Sequence, residues 1–171
     1  STTGAAGATK ARFNVTATNG TAVISELKFT NTATSGTVTE VRVGSTTAPM
    51  VSDVAYLTGL NLTVPNGGTG LDIDAFASYA PVGSTGVTSG GLALLKLCYV
   101  KYTIGGTTTT AGSSTCATTG SYPISSAQTM TLVGSKPTVT ATQPAGVVLS
   151  TGAVEAIDVT ITADAAGPIS V

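Results

Sequence analysis

The chain has 171 residues, seven Lys plus Arg against eight Asp plus Glu, no His, no Trp and only 9% charged residues. Without His it lacks the commonest general base and metal ligand, which excludes His-dependent triads and His-ligated zinc or haem chemistry, and no cofactor is expected. A net charge of −1, a pI near 5.1 and no basic run leave little to hold phosphates, so nucleic acid and anionic membrane are not expected partners.

With 42% apolar residues and abundant Thr, Ala and Gly, the composition is that of a folded, β-rich, extracellular domain. The longest apolar run, Gly91 to Val100, contains Lys96 and is about half the roughly 20 residues that a bilayer crossing needs, so no membrane insertion is expected. Ser1-Thr2-Thr3-Gly4 has neither a basic nor an apolar leader pattern, so a signal peptide is expected to be already removed or to lie outside this stretch.

Taken in chain order, alternation dominates, and the first clear strand is Arg12 to Thr18, with Phe13, Val15 and Ala17 on one face. Asn19-Gly20 follows, a dipeptide that tolerates positive φ, and it predicts a hairpin into Thr21 to Asn31. In that second strand Val23, Leu27 and Phe29 are expected on the core face, with Ile24, Glu26, Lys28 and Thr30 on the other. Val38 to Val43 reads as a third strand. Gly59 to Val64, ended by Pro65-Asn66-Gly67-Gly68, places Leu60, Leu62 and Val64 together. Leu71 to Tyr79 alternates Leu71, Ile73 and Ala75 with Asp72 and Asp74. Leu92 to Ile104 is apolar on both faces and suits a central strand. Ala127 to Gly134 and Pro137 to Ala141 add two short strands, whereas Pro81 to Gly91 and Gly105 to Tyr122 are expected to be surface loops. The fold class that follows is all-β, a two-sheet sandwich with an extra C-terminal strand.

Cys98 and Cys116 read most simply as one disulfide closing a loop of about 18 residues, which contributes roughly 3 kcal/mol and belongs outside the reducing cytoplasm. The alternative is a buried thiol on the strand and an exposed one in the loop.

The ends of the chain resemble each other. Ala11 to Ser25, ARFNVTATNGTAVIS, and Ile157 to Val171, IDVTITADAAGPISV, share a pattern in which Phe13, Val15 and Ala17 correspond to Val159, Ile161 and Ala163. Residues 1–135 then form one domain, 136–150 a connector, and 151–171 a second copy of the first strand. A lone strand with one apolar face needs a partner. It either opens the next module of a tandem array, inserts into a neighbouring copy head-to-tail, or returns to the edge of its own domain.

The series ARFNVTATNGTAVISELKFTNT, AYLTGLNLTVPNGGTGLDIDAFASYA, QTMTLVGSKPTVTATQP and GAVEAIDVTITADA resembles the immunoglobulin-like repeat modules of large secreted bacterial surface proteins, of the surface-layer, adhesin and filament type. The resemblance implies an immunoglobulin-like fold and a structural, non-catalytic role at the cell surface, with copies of itself or neighbouring repeats as partners.

Four further motifs are weighed. Ser25-Glu26-Leu27-Lys28 matches S-x-x-K, but alternation on a strand separates Ser25 from Lys28. Asp72 and Asp74, with Asp53 upstream, offer oxygen ligands for Ca²⁺ or are two solvent-facing carboxylates. Lys28 or Lys10 with Asp158 is a conceivable covalent cross-link. Asn14, Asn19 and Asn61 begin N-x-Thr triplets, candidates for glycosylation. A module that binds glycans through exposed Tyr side chains is the second functional reading, weakened by 5% aromatics.

Overall fold

The structure is a computed structural model and describes residues 9–83, 87–117, 122–125, 129–132, 134, 138–142 and 157–162. Every element among them is a strand: β1 Thr9–Val15, β2 Ala22–Asn31, β3 Val38–Val43, β4 Thr46–Val51, β5 Val54–Leu57, β6 Leu62–Val64, β7 Leu71–Tyr79, β8 Leu92–Ala93, β9 Leu95–Ile104, β10 Thr107–Gly112, β11 Ile124–Ser125, β12 Met130–Thr131, β13 Thr138–Thr142 and β14 Asp158–Thr162. The protein is all-β, built of curled antiparallel sheets.

The main sheet runs in the order β1-β7-β3-β4-β5-β2-β9-β10, with β6 beside β2 and β11 beside β9. It curls at β4, whose Thr46 to Pro49 pair with β3 and whose Met50 and Val51 pair with β5. The handover follows Pro49, which has no N–H to give to a ladder. One wing is therefore β1, β7, β3 and the start of β4, and the other is the end of β4 with β5, β2, β9 and β10. The inner faces meet in one core that includes Phe13, Ile24, Leu27, Phe29, Val41, Leu57, Ile73 and Leu97.

The readings for β3 and β7 are correct to their ends; the buried positions Ile73, Ala75 and Ala77 fall on one face of β7, while in β3 a register irregularity between Val38 and Glu40 breaks the alternation and leaves Val38, Val41 and Val43 buried. Leu60 and Val64 are likewise buried, with Asn61 and Thr63 exposed, although pairing begins only at Leu62. The long central strand divides into β8 and β9, and β9 lies between β2 and β10.

Four expectations are corrected. Asn19-Gly20 does not close a hairpin, because β1 pairs with β7 while β2 pairs with β5, β6 and β9. The segment instead carries the chain from one wing to the other, steered by Asn66, whose side-chain oxygen accepts from the Gly20 amide at 2.9 Å. The faces of β2 also change part-way. A bulge between Ile24 and Glu26 inserts Ser25 opposite no partner, so Ala22 and Ile24 share the core with Leu27 and Phe29, and Val23 is half-buried. Gly105 to Tyr122 is not all loop, since β10 returns along β9 after a Gly105-Gly106 turn whose positive φ values of 55° and 81° suit a tight hairpin. Two strands, β4 and β5, lie where no periodicity was read, joined at Ser52-Asp53, both with positive φ.

The disulfide is present: Cys98 and Cys116 are bonded, 18 residues apart. Cys98 is fully buried and falls at a register irregularity between β2 and β9. The loop carrying Cys116 is further held where Lys28 Nζ donates to the Ser114 carbonyl at 2.6 Å.

Candidate coupling site

Residues 138–142 and 158–162 are β-branched Thr, Val and Ile at all positions but Ala141 and Asp158, a composition that favours extended chain. They pair antiparallel with each other as a separate two-stranded sheet, Val139 opposite Ile161 and Ala141 opposite Val159. The stretch read as a connector thus contains β13, and the terminal strand has a partner within its own chain. Every residue of both strands is exposed. Val139 is 61%, Ile157 58%, Val159 57% and Ile161 39% exposed, so an apolar face made of alternate residues is open to solvent.

The six residues expected on coupling strands divide sharply. Phe13 and Ala17 are buried in the core at 4% and 8% exposure, each bordering one of the two cavities of the groove below. Val15 is half-buried, Val159 and Ile161 are exposed, and Ala163 lies outside the described residues.

A groove opens on the side of the molecule where the curled sheet does not close. The strand β1 ends the sheet order, so one of its edges has no ladder partner among the described residues. Between it and the β9 wing lie two adjoining cavities, of about 300 and 340 Å³, both bordered by Val15, Thr16 and Tyr122. Ile24, Val100, Tyr102 and Ile104 form the apolar wall of one, and Arg12, Leu97 and Ile124 border the other. Burial pushes the Tyr122 hydroxyl above its ordinary pKa, keeping it neutral. Sequence reasoning did not assemble this groove, because its wall comes from segments far apart along the chain.

The acidic pair on β7 is engaged. Cross-strand register sets Arg12 opposite Asp74 and Asn14 opposite Asp72. The Arg12 guanidinium donates to both Asp74 oxygens at 2.7 and 3.0 Å and lies 3.4 Å from Asp72, which raises the Arg12 pKa through the Asp74 hydrogen bond first. Asp53 accepts from the Gly36 amide, away from this pair. Among the described residues no cluster of three His, Cys, Asp or Glu is placed to hold a metal. Asn14 Nδ2 donates to both Thr69 O and Asp72 Oδ1, at 2.9 and 2.8 Å, so a sugar there would displace one of its two donors. Asn19 and Asn61 are exposed.

On the outer face of the β2 wing, Glu26 accepts from Lys101 at 2.8 Å and from the Tyr56 hydroxyl. Lys28 Nζ lies 4.6 Å from the Tyr56 ring centroid and 5.5 Å from that of Tyr99. The amine therefore covers one face of the Tyr56 ring. Lys28 is bound to Ser114, and the Ser25 hydroxyl donates to the Lys101 carbonyl at 3.4 Å, so the S-x-x-K pair makes separate contacts. Asp158 sits on β14 opposite Thr142, and the Lys10 side chain lies outside the described residues.

No known protein family matches the chain, and no curated protein or solved structure matches it.

Proposed function

We propose that the protein is a non-enzymatic structural module of an extracellular polymer, a filament or surface layer, with an immunoglobulin-like sandwich body coupled head-to-tail through its terminal strand. The observation that carries this reading is the exposed apolar face of β13 and β14, where Val139, Ile157, Val159 and Ile161 alternate along open strands. A chain with 9% charged residues places little charge on its edges to oppose strand pairing between copies. The Cys98–Cys116 disulfide accords with an oxidising, extracellular setting.

The experiment is light scattering on the full chain and on a chain truncated after Gly146, which removes β14, over a range of concentrations. The reading expects mass to grow with concentration for the full chain and to stay at one subunit for the truncated one. Equal monomer mass for both would reject it.

A further inference from the structure

We infer that the groove along the free edge of β1 is the acceptor for β14 of a second copy of this chain. The inference rests on the coupling reading above and adds the receiving site to it. An occupant of this groove must satisfy two requirements at once. The wall formed by Ile24, Val100, Tyr102 and Ile104 calls for apolar side chains, while the open β1 edge calls for a backbone that can continue the ladder. A small apolar ligand meets only the first requirement, and a polar peptide only the second.

The chain itself carries a segment that meets both. The β14 strand presents Val159 and Ile161 at alternate positions, with Ile157 one residue before its start continuing the spacing, each at least 39% exposed. Same-face side chains on a strand are about 6.8 Å apart, so a run of three suits a long groove with two adjoining cavities rather than one compact pocket. Charge agrees as well: among the described residues the cavity bordered by Ile24 and Ile104 has no charged residue in its lining and the second has Arg12, while the one charge on β14 is Asp158 at its start. Among the described residues the chain thus has an open apolar groove and, in β14, a strand whose apolar side chains are exposed and whose pairing with β13 takes up one edge. Because donor and acceptor are different surfaces, their contact is heterologous and propagates instead of closing as a two-fold dimer.

The test uses two full-length variants and sedimentation velocity. A donor-null chain carries Val159→Asp and Ile161→Asp on strands that are already exposed. An acceptor-null chain carries Ile104→Lys, at a half-buried position at the end of β9. Each alone is expected to sediment as a monomer, with at least about a hundredfold higher concentration needed for association, since each change removes well-buried apolar contacts from the joint. Mixed, they are expected to form a 1:1 pair that grows no further, because the acceptor-null chain still donates β14 and the donor-null chain still accepts it.

If the unmodified chain polymerises and a folded Ile104→Lys chain polymerises equally well, the groove is not the acceptor, and the coupling reading survives without it. If the unmodified chain is monomeric at every concentration, the coupling reading fails and takes this inference with it. Circular dichroism and a cooperative melt establish folding. Should Ile104→Lys not fold, a synthetic peptide of residues 155–163 added to the donor-null chain decides the matter. Saturable binding that changes the tyrosine fluorescence supports the groove. No binding at concentrations where the unmodified chain assembles overturns it.

Discussion

Phe13 on β1 and Phe29 on β2 meet across the core with ring centroids 5.5 Å apart and planes tilted by 48°. The two rings come from opposite wings of the curled sheet, so this contact reports directly on whether the wings are closed. Phe29 is fully buried. Phe29→Ala is expected to destabilise the fold by about 3–5 kcal/mol, and a double-mutant cycle with Phe13→Ala to return a coupling of about 0.5–1.5 kcal/mol in urea unfolding. A coupling near zero would mean that the wings are held by other contacts.

Asn31, 5% exposed at the end of β2, joins three segments. Its Nδ2 donates to Thr34 O at 2.8 Å and to the hydroxyl of the fully buried Thr37 at 3.0 Å, while its Oδ1 accepts from the Leu94 amide at 3.0 Å. Asn31→Ala strands these partners away from water, and a loss of about 1–3 kcal/mol is expected by urea titration. A loss below about 0.5 kcal/mol, the range of an ordinary surface substitution, would contradict the role.

What was legible in the sequence follows from how local each cause is. The strand β7 is announced by unbroken alternation, β3 by its three valines, and the apolar spacing of Val159 and Ile161 on β14 is equally plain. The core face of β2 was not, because the bulge at Ser25 is set by pairing with β9, a strand about seventy residues away. The same holds for Asn19-Gly20: the dipeptide permits a hairpin, but Phe13 finds its ladder partner in Ile73. The Thr-rich run Thr107 to Thr110 looked like loop by composition, yet its β-branched side chains extend readily once Gly105-Gly106 reverses the chain beside β9. The exposed apolar strand β14 was readable because it is one short segment. The groove was not, since it exists only where β1 and the β9 wing fail to meet.

The disulfide spans 18 residues, a loop whose closure restricts the unfolded chain by roughly 3 kcal/mol. Reduction is expected to lower the urea midpoint by the corresponding amount while leaving the far-ultraviolet strand signal in place at low urea. An unchanged midpoint in the fully reduced protein would show that Lys28 and its bond to Ser114 suffice to hold the loop.

Hydrogen bonds from Lys101 and then Tyr56 hold the Glu26 carboxyl below its ordinary value of 4.5. Its folded pKa lies below its unfolded one, so its contribution is present above pH 4.5 and is lost as the pH falls through the folded value. The Tyr56 hydroxyl moves the other way: its bond to Glu26 raises it above 10.0, so its contribution is present below pH 10.0 and is lost as the pH rises through the folded value. Glu26→Gln is expected to flatten the acid limb of a stability–pH profile and Tyr56→Phe the alkaline limb. Unaltered limbs in both variants would show that neither bond discriminates folded from unfolded chain.

The central claim is that copies of this chain join through β14. Its most direct test is the mass of the unmodified protein by sedimentation velocity as concentration is raised, with the Val159→Asp, Ile161→Asp chain run beside it. The account predicts a distribution that lengthens with concentration for the unmodified chain and a single 16.7 kDa species for the variant. A single 16.7 kDa species for both, at every concentration, would contradict it.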